Sequence, residues 1–386
     1  MDCKSCGIFR ISTGDEIMKA TIFGGGRMGA AISCAMSKMG YSLCVVDRDS
    51  KSLDTNIGGL GISNCELKSI HNLKTEVNIL SKNKPDVVIS ALPYHQNETL
   101  ASFCIDNSIR YCDLGGSVPV SSNINHSARS KADAPVMTDL GLAPGWINIL
   151  AEQGYQQLDG ADEVSMMVGG LPHRQNNNPL NYTVTWSIDG LINEYRDDCE
   201  VLINGQIEKV YGMDGLQSVA TDNLGELEAF YTSGGSSHTV YTMRDRGVKY
   251  CSYKTLRYPG HCKLVKFLID RCELPEDCLR HIFEKGCADN YWHSVDRRDL
   301  VILKTVVKKG DLSWNKEIIV NADKGSLEDP KNFTAMQKAT AFPIASVADI
   351  MARGLLDRDF GLARHLSYKH IPYTEFNSTL SQLLKV

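Results

Sequence analysis

The chain has 386 residues, a net charge of −5 at neutral pH and a hydrophobic content of 42%. A chain of this length is too long for one compact core, so it predicts two domains or one domain with a large insertion. The acidic balance gives no general attraction to phosphate backbones, and neither nucleic acid nor an anionic membrane is an expected partner.

The amino-terminal segment "MDCKSCGIFRISTGDEIMK" lacks the apolar core of a secretion signal, and no apolar run reaches the length of a membrane helix. We therefore expect a cytoplasmic protein, with residues 1–18 as a leader. The 13 cysteines are odd in number and lie mostly in apolar stretches, which is typical of reduced, buried thiols. Cys3 and Cys6 have the spacing of half a zinc site, but no second half follows. No metal site is predicted.

From Lys19 onward, short β-rich runs alternate with segments of helical periodicity. Five runs have the continuous hydrophobicity of strands buried on both faces: "ATIFGG", "SLCVVD", "DVVISAL", "RYCDLGG" and "PVMTDLG". Between them, stretches such as "GAAISCAMSKMG" and "NETLASFCIDNS" space their apolar residues as helices do. These repeated units predict an α/β fold with a Rossmann-type, doubly wound parallel sheet over residues 19–140.

A glycine motif follows the first predicted strand. In "ATIFGGGRMG", Gly24, Gly26 and Gly29 have the GxGxxG spacing at the start of a predicted helix. The first glycine permits a tight turn, the second lets the backbone approach a pyrophosphate, and the third lets helix and strand pack closely. The phosphates would lie at the helix N-terminus beside Arg27 and Met28. The motif predicts a dinucleotide-binding site.

The second predicted strand ends at Asp47, 18 residues beyond Gly29. A carboxylate at this position can accept hydrogen bonds from a ribose diol and would repel a 2′-phosphate, which favours NAD over NADP. Arg48 could pair with that phosphate, so NADP remains possible. The alternative is a glycine-rich turn beside an acidic surface residue.

Two further loops follow predicted strands at the carboxyl edge of the sheet, where doubly wound folds bind ligands. The loop "SALPYH" contains Ala91, Leu92 and Pro93, and the loop "YCDLGG" contains Asp113 and Gly115. We expect both loops to border the nicotinamide. Asp113 either caps a helix or ties a loop, or it takes part in catalysis.

After about Leu140 the pattern changes. "GWINILAEQGYQQL" predicts a helix, and "EVSMMVGG", "YTVTWS" and "EVLINGQIEKV" predict strands, the last with a hairpin turn at Asn204-Gly205. A second hairpin is predicted around "KKGDLS". The helical stretch "TAFPIASVADIMARGLL" is expected to return to the first domain. Residues 141–334 would then form an inserted α+β domain on an antiparallel sheet, and residues 335–386 would complete the dinucleotide-binding domain.

Several long motifs of the second domain resemble those of one family. "GLAPGWINILAEQG", "GGLP" followed by "PLNYTVTWSIDGLINEY", "GELEAFYTSGG" and "YKTLRYPGH" together resemble the saccharopine dehydrogenase-like family. The similarity is strongest to its lysine 6-dehydrogenase branch and runs from about Lys19 to about Gly361. It implies an NAD-dependent oxidative deamination of L-lysine at the ε-carbon, which releases ammonia and a semialdehyde. It also implies a homodimer formed through the second domain.

The stretch "KTLRYPGH" contains the principal substrate-binding candidates. Because side chains alternate along a strand, Tyr253, Thr255 and Arg257 share one face. A guanidinium grips a carboxylate through two parallel hydrogen bonds, so Arg257 is predicted to bind the carboxylate of an amino acid. The Pro-Gly turn brings His261 to the start of a predicted helix. His261 could take a proton from the substrate ammonium or from water, or it could simply pack at the helix end.

Further side chains are candidates for the base or for the pocket. Hydride transfer from an amine needs a neutral amine, so a base must take its proton. Besides His261, the candidates are Asp113, Glu226 and Glu228, and the two glutamates could instead hold the α-ammonium or lie on the surface. The remaining pocket candidates are Asn181, Tyr182, Trp186 and His238.

Two alternatives remain. A saccharopine-type enzyme would act on a secondary amine and would need further basic residues, which Arg174, Arg244 and Arg246 could supply. A non-catalytic, NAD-binding regulatory protein would keep the fold without the chemistry. The complete "TLRYPGH" and "DLGG" segments argue against this second alternative.

Overall fold

A computed structural model describes residues 17–173, 180–286, 298–326, 329–363 and 366–385. The two leader cysteines and Arg174 lie outside these residues, as does the leader up to residue 16. The chain forms two compact units, of which the second is inserted in the first. The first unit comprises Met1–Trp146, Glu328–Phe333 and Gln337–Val386, and the second comprises Ile147–Leu327 and Thr334–Met336.

The first unit contains a six-stranded parallel sheet. Its strands are β1 (Lys19–Phe23), β2 (Ser42–Asp47), β3 (Cys65–Ser69), β4 (Val87–Ser90), β5 (Tyr111–Asp113) and β6 (Val136–Met137). They lie in the order β3-β2-β1-β4-β5-β6, and every pair is parallel. The order reverses between β1 and β4, which is the switch point where doubly wound folds bind ligands. The predicted Rossmann-type sheet is confirmed.

Five of the six strands match the predicted apolar runs. The remaining strand, β3, has the polar sequence "CELKS" and lies at the edge of the sheet. An edge strand buries only part of its surface, so its sequence carries no continuous hydrophobic signal.

Helices and short turns connect these strands. The helix Arg27–Lys38 buries a row of small residues that include Ala30, Ala31 and Ala35, which lets it pack closely against the sheet. The other helices of this unit are Ser50–Ser52, Leu73–Glu76, Ile79–Asn83, Asn97–Asp106, Val118–Lys131, Asp357–Ala363 and Tyr373–Lys385. The helix Ala335–Ala352 also belongs to this unit, from Gln337 to its end.

The second unit contains an eight-stranded sheet. Its strands are β7 (Glu163–Pro172), β8 (Cys199–Ile203), β9 (Gln206–Val210), β10 (Gln217–Thr221), β11 (Gly225–Tyr231), β12 (Tyr250–Arg257), β13 (Asp299–Lys309) and β14 (Leu312–Asn321). The main path is β10-β11-β12-β7-β13-β14, and β8 joins it beside β12. The helices that accompany this sheet are Trp146–Gln157, Ile188–Arg196, Thr239–Asp245, His261–Lys266 and Glu276–Gly286.

The predicted antiparallel sheet is wrong at one pair, because β12 runs parallel to β7. A parallel neighbour requires a crossover connection, and local hydrophobic patterns do not reveal which distant strands will pair. Both predicted hairpins are confirmed, with turns at Asn204-Gly205 and after Lys309.

The segment "YTVTWS" is not a strand. Its aromatic and branched side chains satisfy the strand pattern, but they pack into the core from an irregular segment, with Tyr182 fully buried.

Strand β12 is buried on both faces. On one side, Leu256 and Tyr258 pack with Leu227 and Ile302. The opposite side faces a second cluster, which includes Tyr182, Tyr195, Phe230 and Leu279. The face of Arg257 therefore meets a predominantly aromatic cluster. No helix among the residues described is long and apolar enough to cross a membrane.

Candidate functional site

The glycine loop after β1 has the close approaches that the motif predicts. Gly24 has a φ of +107°, and a Cβ added there would lie 2.6 Å from the carbonyl oxygen of Ala91. A Cβ added to Gly29 would lie 1.8 Å from the carbonyl oxygen of Gly24. Any side chain at these two positions would collide with backbone, so the loop and the first helical turn can pack this tightly only with glycine.

Gly26 differs from these two glycines, because a Cβ added there would meet nothing within 4 Å. It immediately precedes the helix Arg27–Lys38, whose N-terminus has no side-chain cap and no acidic residue in its first turn. The side chain of Arg27 is exposed and that of Met28 is half-buried. An open approach to an uncapped helix N-terminus fits a pyrophosphate group.

Asp47 lies beside this loop at the end of β2. Its Oδ2 accepts a hydrogen bond from Gly25 N at 2.6 Å, and its Oδ1 accepts one from Asp49 N at 2.9 Å. Each oxygen keeps a second lone pair, so the carboxylate can still accept the hydroxyls of a ribose. The side chain of Arg48 is exposed. Together with the glycine loop, these residues fit a dinucleotide.

The loop after β4 is held by its own backbone and by Ser90. Ala91 N donates to Phe23 O at 2.7 Å, and Leu92 N contacts Ser90 Oγ at 3.4 Å. Pro93 is exposed and precedes a short 3-10 turn. These contacts place the loop next to β1 at the carboxyl edge of the sheet.

Asp113 is completely buried at the end of β5. Its Oδ1 accepts hydrogen bonds from Gly115 N at 2.8 Å and Asp139 N at 3.1 Å, and its Oδ2 accepts one from Tyr111 Oη at 3.0 Å. Burial, together with the negative charge of Asp139, raises the pKa of Asp113 to about 7. Three donors and no exposed surface favour the loop-tying alternative for Asp113, and its catalytic role stays a prediction. Gly115 is one of the groups that it ties.

In the second unit, Arg257 lies at the end of β12 with only 3% of its surface exposed. Its Nε donates to Tyr195 Oη at 3.0 Å, and its Nη1 donates to Leu256 O at 2.9 Å. Its guanidinium carbon lies 4.5 Å from the ring centre of Tyr182, which is a cation–π contact. Within the described part of the chain, Arg257 makes no ion pair, and its Nη2 has no hydrogen-bond partner.

His261 begins the helix His261–Lys266 and is completely buried. Its Nδ1 lies 2.8 Å from Leu180 O, and its Nε2 lies 3.0 Å from Tyr195 Oη. A carbonyl accepts only, so Nδ1 carries the proton and Nε2 accepts from Tyr195. Burial and the charge of Arg257 lower the pKa of His261 to about 3.

This geometry favours the alternative in which His261 packs at the helix end over its predicted role as a proton acceptor. The imidazole is neutral, and both of its nitrogens are engaged. Because Tyr195 donates to His261, the oxygen of Tyr195 is left to accept from Arg257. His261 therefore holds the Tyr195 hydroxyl in the orientation that accepts from Arg257.

The carboxylate of Glu228 holds the turn that connects β12 to this helix. Its Oε2 accepts from Gly260 N at 3.0 Å and its Oε1 accepts from Cys262 N at 2.5 Å. Asn181 supports the same turn, because its Nδ2 donates to Pro259 O at 3.2 Å. Both residues shape the site through the backbone.

Glu226 does not join this cluster. It is exposed near the start of β11, and its Oε2 accepts from Ser218 Oγ at 3.1 Å. This position favours the surface alternative for Glu226, which lies two positions along the strand from the buried Glu228.

The other predicted pocket residues lie in three places: on β12, before a helix and against the core. Thr255 is buried and its hydroxyl lies 2.8 Å from that of Thr232, while Tyr253 is buried on the same face of β12. His238 precedes the helix Thr239–Asp245, with Nδ1 3.1 Å from Ser237 Oγ. The half-buried Trp186 packs against the core.

The structure adds two residues that the sequence did not single out, Glu194 and Tyr195. Both lie in the helix Ile188–Arg196, within the quoted motif "SIDGLINEY". Tyr195 follows Leu191 and Ile192 at helical spacing, so its pattern is that of a core residue. Glu194 is half-buried, and desolvation raises its pKa to about 8, although the charge of Arg257 opposes this rise.

Two of the three basic residues named for a saccharopine-type substrate, Arg244 and Arg246, pair with carboxylates of the protein. Arg244 pairs with the neighbouring Asp245 at 2.7 Å on the surface. Arg246 pairs with Glu152 at 2.8 Å and lies over the ring of Tyr155. Among the residues described, no cluster of His, Cys, Asp and Glu could hold a metal ion.

Comparison with known families gives two matches that together span most of the chain. Residues 20–137 match the family model described as the saccharopine dehydrogenase NADP binding domain. Residues 141–365 match the model described as the saccharopine dehydrogenase C-terminal domain.

Curated relatives agree with these matches. Saccharopine dehydrogenase (NADP(+), L-glutamate-forming) of Schizosaccharomyces pombe is 24% identical over 218 residues, which cover 53% of this chain and 46% of the relative. The Saccharomyces cerevisiae protein of the same name is 28% identical over 53% of this chain and 47% of its own length. The mitochondrial alpha-aminoadipic semialdehyde synthase of Rattus norvegicus is 30% identical over 33% of this chain and 14% of the relative. The matches thus span less than half of each relative.

Among solved structures, apo saccharopine dehydrogenase (L-Glu forming) from Saccharomyces cerevisiae is similar over 95% of this chain and 97% of that chain. Its TM-score is 0.70 and its sequence identity is 16%. The likeness shows a shared α/β fold.

Proposed function

Because the chain belongs to the saccharopine dehydrogenase family, we propose that it is a nicotinamide-dinucleotide-dependent oxidoreductase that acts on an amine of an amino acid. The first unit supplies the cofactor site, and the second unit supplies the amino-acid site. When bound, the cofactor accepts the hydride of the substrate.

One observation carries the proposal. The guanidinium of Arg257 is buried, yet it has no carboxylate partner within the described residues. A buried charge costs several kcal/mol unless a counterion and hydrogen bonds compensate it. The carboxylate of an amino acid would supply that counterion, and it would use the donors on Nη2 that have no described partner.

The surrounding residues prepare Arg257 for this task. Tyr195 and the carbonyl of Leu256 take two of its donors, and the ring of Tyr182 covers one face of the guanidinium. A guanidinium held in this way loses little conformational freedom when it binds its ligand. Arg257 therefore orients the substrate carboxylate, while His261 fixes the orientation of the Tyr195 hydroxyl.

For the substrate, we propose L-lysine, oxidised at the ε-carbon with release of ammonia and the semialdehyde. This substrate has one carboxylate, and Arg257 offers one buried guanidinium that has no carboxylate partner among the described residues. Arg244 and Arg246 are already paired with carboxylates of the protein. They are poor candidates for binding additional substrate carboxylates.

A saccharopine-type reaction on a secondary amine is the second candidate. The two fungal relatives, which are saccharopine dehydrogenases, support it. Arg174, which could bind a further carboxylate, lies outside the described residues.

For the cofactor, we propose NAD with NADP as the alternative. Asp47 supports NAD, because a 2′-phosphate would meet its negative charge. The exposed Arg48 and the description of the matching family model support NADP. A homodimer and a cytoplasmic location complete the proposal; sedimentation of the purified protein and imaging of the tagged chain would test them.

The first experiment is to follow NADH and NADPH formation by the purified protein at alkaline pH. L-lysine, saccharopine and an amine-free blank are compared, and released ammonia is quantified. We expect turnover of L-lysine with one ammonia released per reduced cofactor. Turnover of saccharopine alone would assign the second candidate, and bound cofactor without turnover of any amine would indicate a regulatory protein.

A further inference from the structure

Glu194 immediately precedes Tyr195, whose hydroxyl contacts Arg257. Ionised Glu194 favours the charged form of Arg257 and disfavours ionisation of Tyr253, so Glu194 lies within electrostatic range of the face of β12 that carries both residues. Within the described residues, however, Glu194 and Arg257 form no ion pair, and the Glu194 carboxylate has no hydrogen bond. The two charged groups are close enough to interact but are not in direct contact.

A neighbouring loop fixes this arrangement. Ser233 N donates to the carbonyl of Glu194 at 3.1 Å, which ties the loop to the end of the helix. In the same loop, Thr232 contacts Thr255 through their hydroxyls, and Gly235 packs against the ring of Tyr253. The loop thus links the helix of Glu194 to the face of β12 that carries Arg257.

We propose that Glu194 and Arg257 form a subsite for the zwitterion of an α-amino acid. Arg257 binds the α-carboxylate, and Glu194 binds the α-ammonium. This inference rests on the proposed function, because it assigns the amino-acid end of the same site.

Two physical reasons support this pairing. Each group lacks a counterion contact in the described residues, and a zwitterion supplies both missing counterions at once. The ammonium and carboxylate of an α-amino acid are attached to the same carbon, so one ligand can bridge two opposite charges that lie near each other. Desolvation raises the pKa of Glu194 to about 8, and the charge of Arg257 only partly opposes this rise. An ammonium group bound beside the carboxyl would favour its ionised form.

The subsite would set the specificity of the enzyme. A ligand with a carboxylate but no α-ammonium would leave Glu194 without its partner in a partly desolvated position. Hydrogen bonds to charged groups contribute enough to change binding by about ten- to hundredfold. L-Norleucine and hexanoate have the same carbon chain and differ only by the α-ammonium. Neither has an ε-amine, so both probe the subsite without turnover.

The test is titration calorimetry of the full chain with L-norleucine and with hexanoate. We expect the wild-type protein to prefer L-norleucine by about tenfold or more. In Glu194→Gln that preference should fall below about threefold while hexanoate binding stays within about twofold, because only the contact to the ammonium is lost. Glu208→Gln, an exposed glutamate of the same unit, should keep the full preference.

Other outcomes would overturn the subsite. An equal loss of both ligands in Glu194→Gln, with an unchanged unfolding midpoint, would show that Glu194 only shapes the pocket. An unchanged preference would place the ammonium elsewhere.

Selective norleucine binding by a protein that does not turn over lysine would retain the subsite and overturn only the lysine reaction. A failure of lysine turnover is thereby distinguished from a failure of the subsite.

Discussion

The hydroxyl of Tyr195 accepts a hydrogen bond from Arg257 Nε at 3.0 Å, and the same hydroxyl donates its proton to His261 Nε2 at 3.0 Å. The chain of donors continues to the carbonyl of Leu180 through His261 Nδ1. Because each group has one direction in which it can donate, the network fixes the tautomer of the imidazole and the orientation of the guanidinium.

Replacement of Tyr195 by Phe breaks this network at its centre. Arg257 Nε and His261 Nε2 then lose their partner in a buried position, and each unsatisfied group costs about 1–3 kcal/mol. We expect Tyr195→Phe to lower the free energy of unfolding by about 2–4 kcal/mol and to raise the KM for the amino acid. Urea unfolding and steady-state kinetics measure both effects.

Tyr211→Phe is the matched control, since Tyr211 is 73% exposed and should change neither quantity. The affinity for the reduced cofactor should stay constant in Tyr195→Phe, because that site belongs to the other unit. A Tyr195→Phe protein with wild-type stability would contradict the network.

Replacement of Arg257 by Ala tests the carboxylate clamp. We expect kcat/KM for the amino acid to fall by the equivalent of about 2–4 kcal/mol, as when one partner of a buried charge-assisted contact is removed. Arg244→Ala removes a guanidinium whose side chain is 43% exposed, so it should leave kcat/KM unchanged. Equal kcat/KM values for wild type and Arg257→Ala would exclude Arg257 from the clamp.

Replacement of Gly26 by Ala separates folding from cofactor binding. The new methyl group meets nothing within 4 Å, and the φ of −75° suits alanine. Stability should therefore be kept or rise by up to about 1 kcal/mol. Dinucleotide binding, measured by NADH fluorescence, should weaken strongly, because the methyl group occupies the space needed by the pyrophosphate. Unaltered NADH binding would place the phosphates elsewhere.

Replacement of Asp47 by Ala tests the cofactor preference. The carboxylate accepts from Gly25 N and repels a 2′-phosphate, so its loss should weaken NAD binding and improve NADP relative to NAD. Amino-acid binding should be unaffected. The ratio of kcat/KM with NADP to kcat/KM with NAD is measured in Asp47→Ala and in Arg48→Ala. It shows which of the two residues sets the cofactor preference. A lower NADP preference in Arg48→Ala alone would identify Arg48 as the phosphate ligand.

Replacement of Asp113 by Asn should change how stability depends on pH. The pKa of Asp113 is raised to about 7 in the folded protein, so the folded state holds its proton more tightly than the unfolded state. This contribution to stability is fully present below about pH 4. It is lost as the pH rises to about 7, by up to about 4 kcal/mol.

Asn can keep the native contacts without titrating. Its oxygen can accept from Gly115 and Asp139, and its amide can donate to Tyr111. The unfolding free energy of Asp113→Asn minus that of wild type should therefore increase between pH 4.5 and 7.5, as measured by urea unfolding. Parallel pH profiles for the two proteins would show that Asp113 does not titrate in this range.

Local sequence patterns were sufficient to predict the parts of the site that lie within a single loop or strand. The glycine spacing and the strand before it predicted the loop at Gly24 and Gly29. The alternation along "YKTLRY" placed Thr255 and Arg257 on one face of β12. Such predictions succeed because spacing within one element follows directly from its backbone geometry.

The burial of individual side chains and their hydrogen-bond partners could not be predicted from these local patterns. Glu226 and Glu228 share a strand and differ by two positions, yet one is exposed and the other holds a turn. His261 was placed correctly at a helix start, but local patterns did not reveal its complete burial or its contacts with Leu180 and Tyr195. The apolar periodicity of "LINEY" predicts that Tyr195 is a core residue, and it predicts no role for Glu194.

By itself, the sequence determined the class of the protein: a Rossmann-type unit with a glycine-rich dinucleotide loop and a second unit with an arginine at a strand end. These features depend on residue type and short-range spacing. Only the tertiary structure decided which groups meet at that arginine. Glu194 and Tyr195 belong to one helix and His261 to another, and both helices are separate from the strand of Arg257. The chemistry of a buried charge depends on its partners and on lost solvent, and both arise only when distant segments pack together.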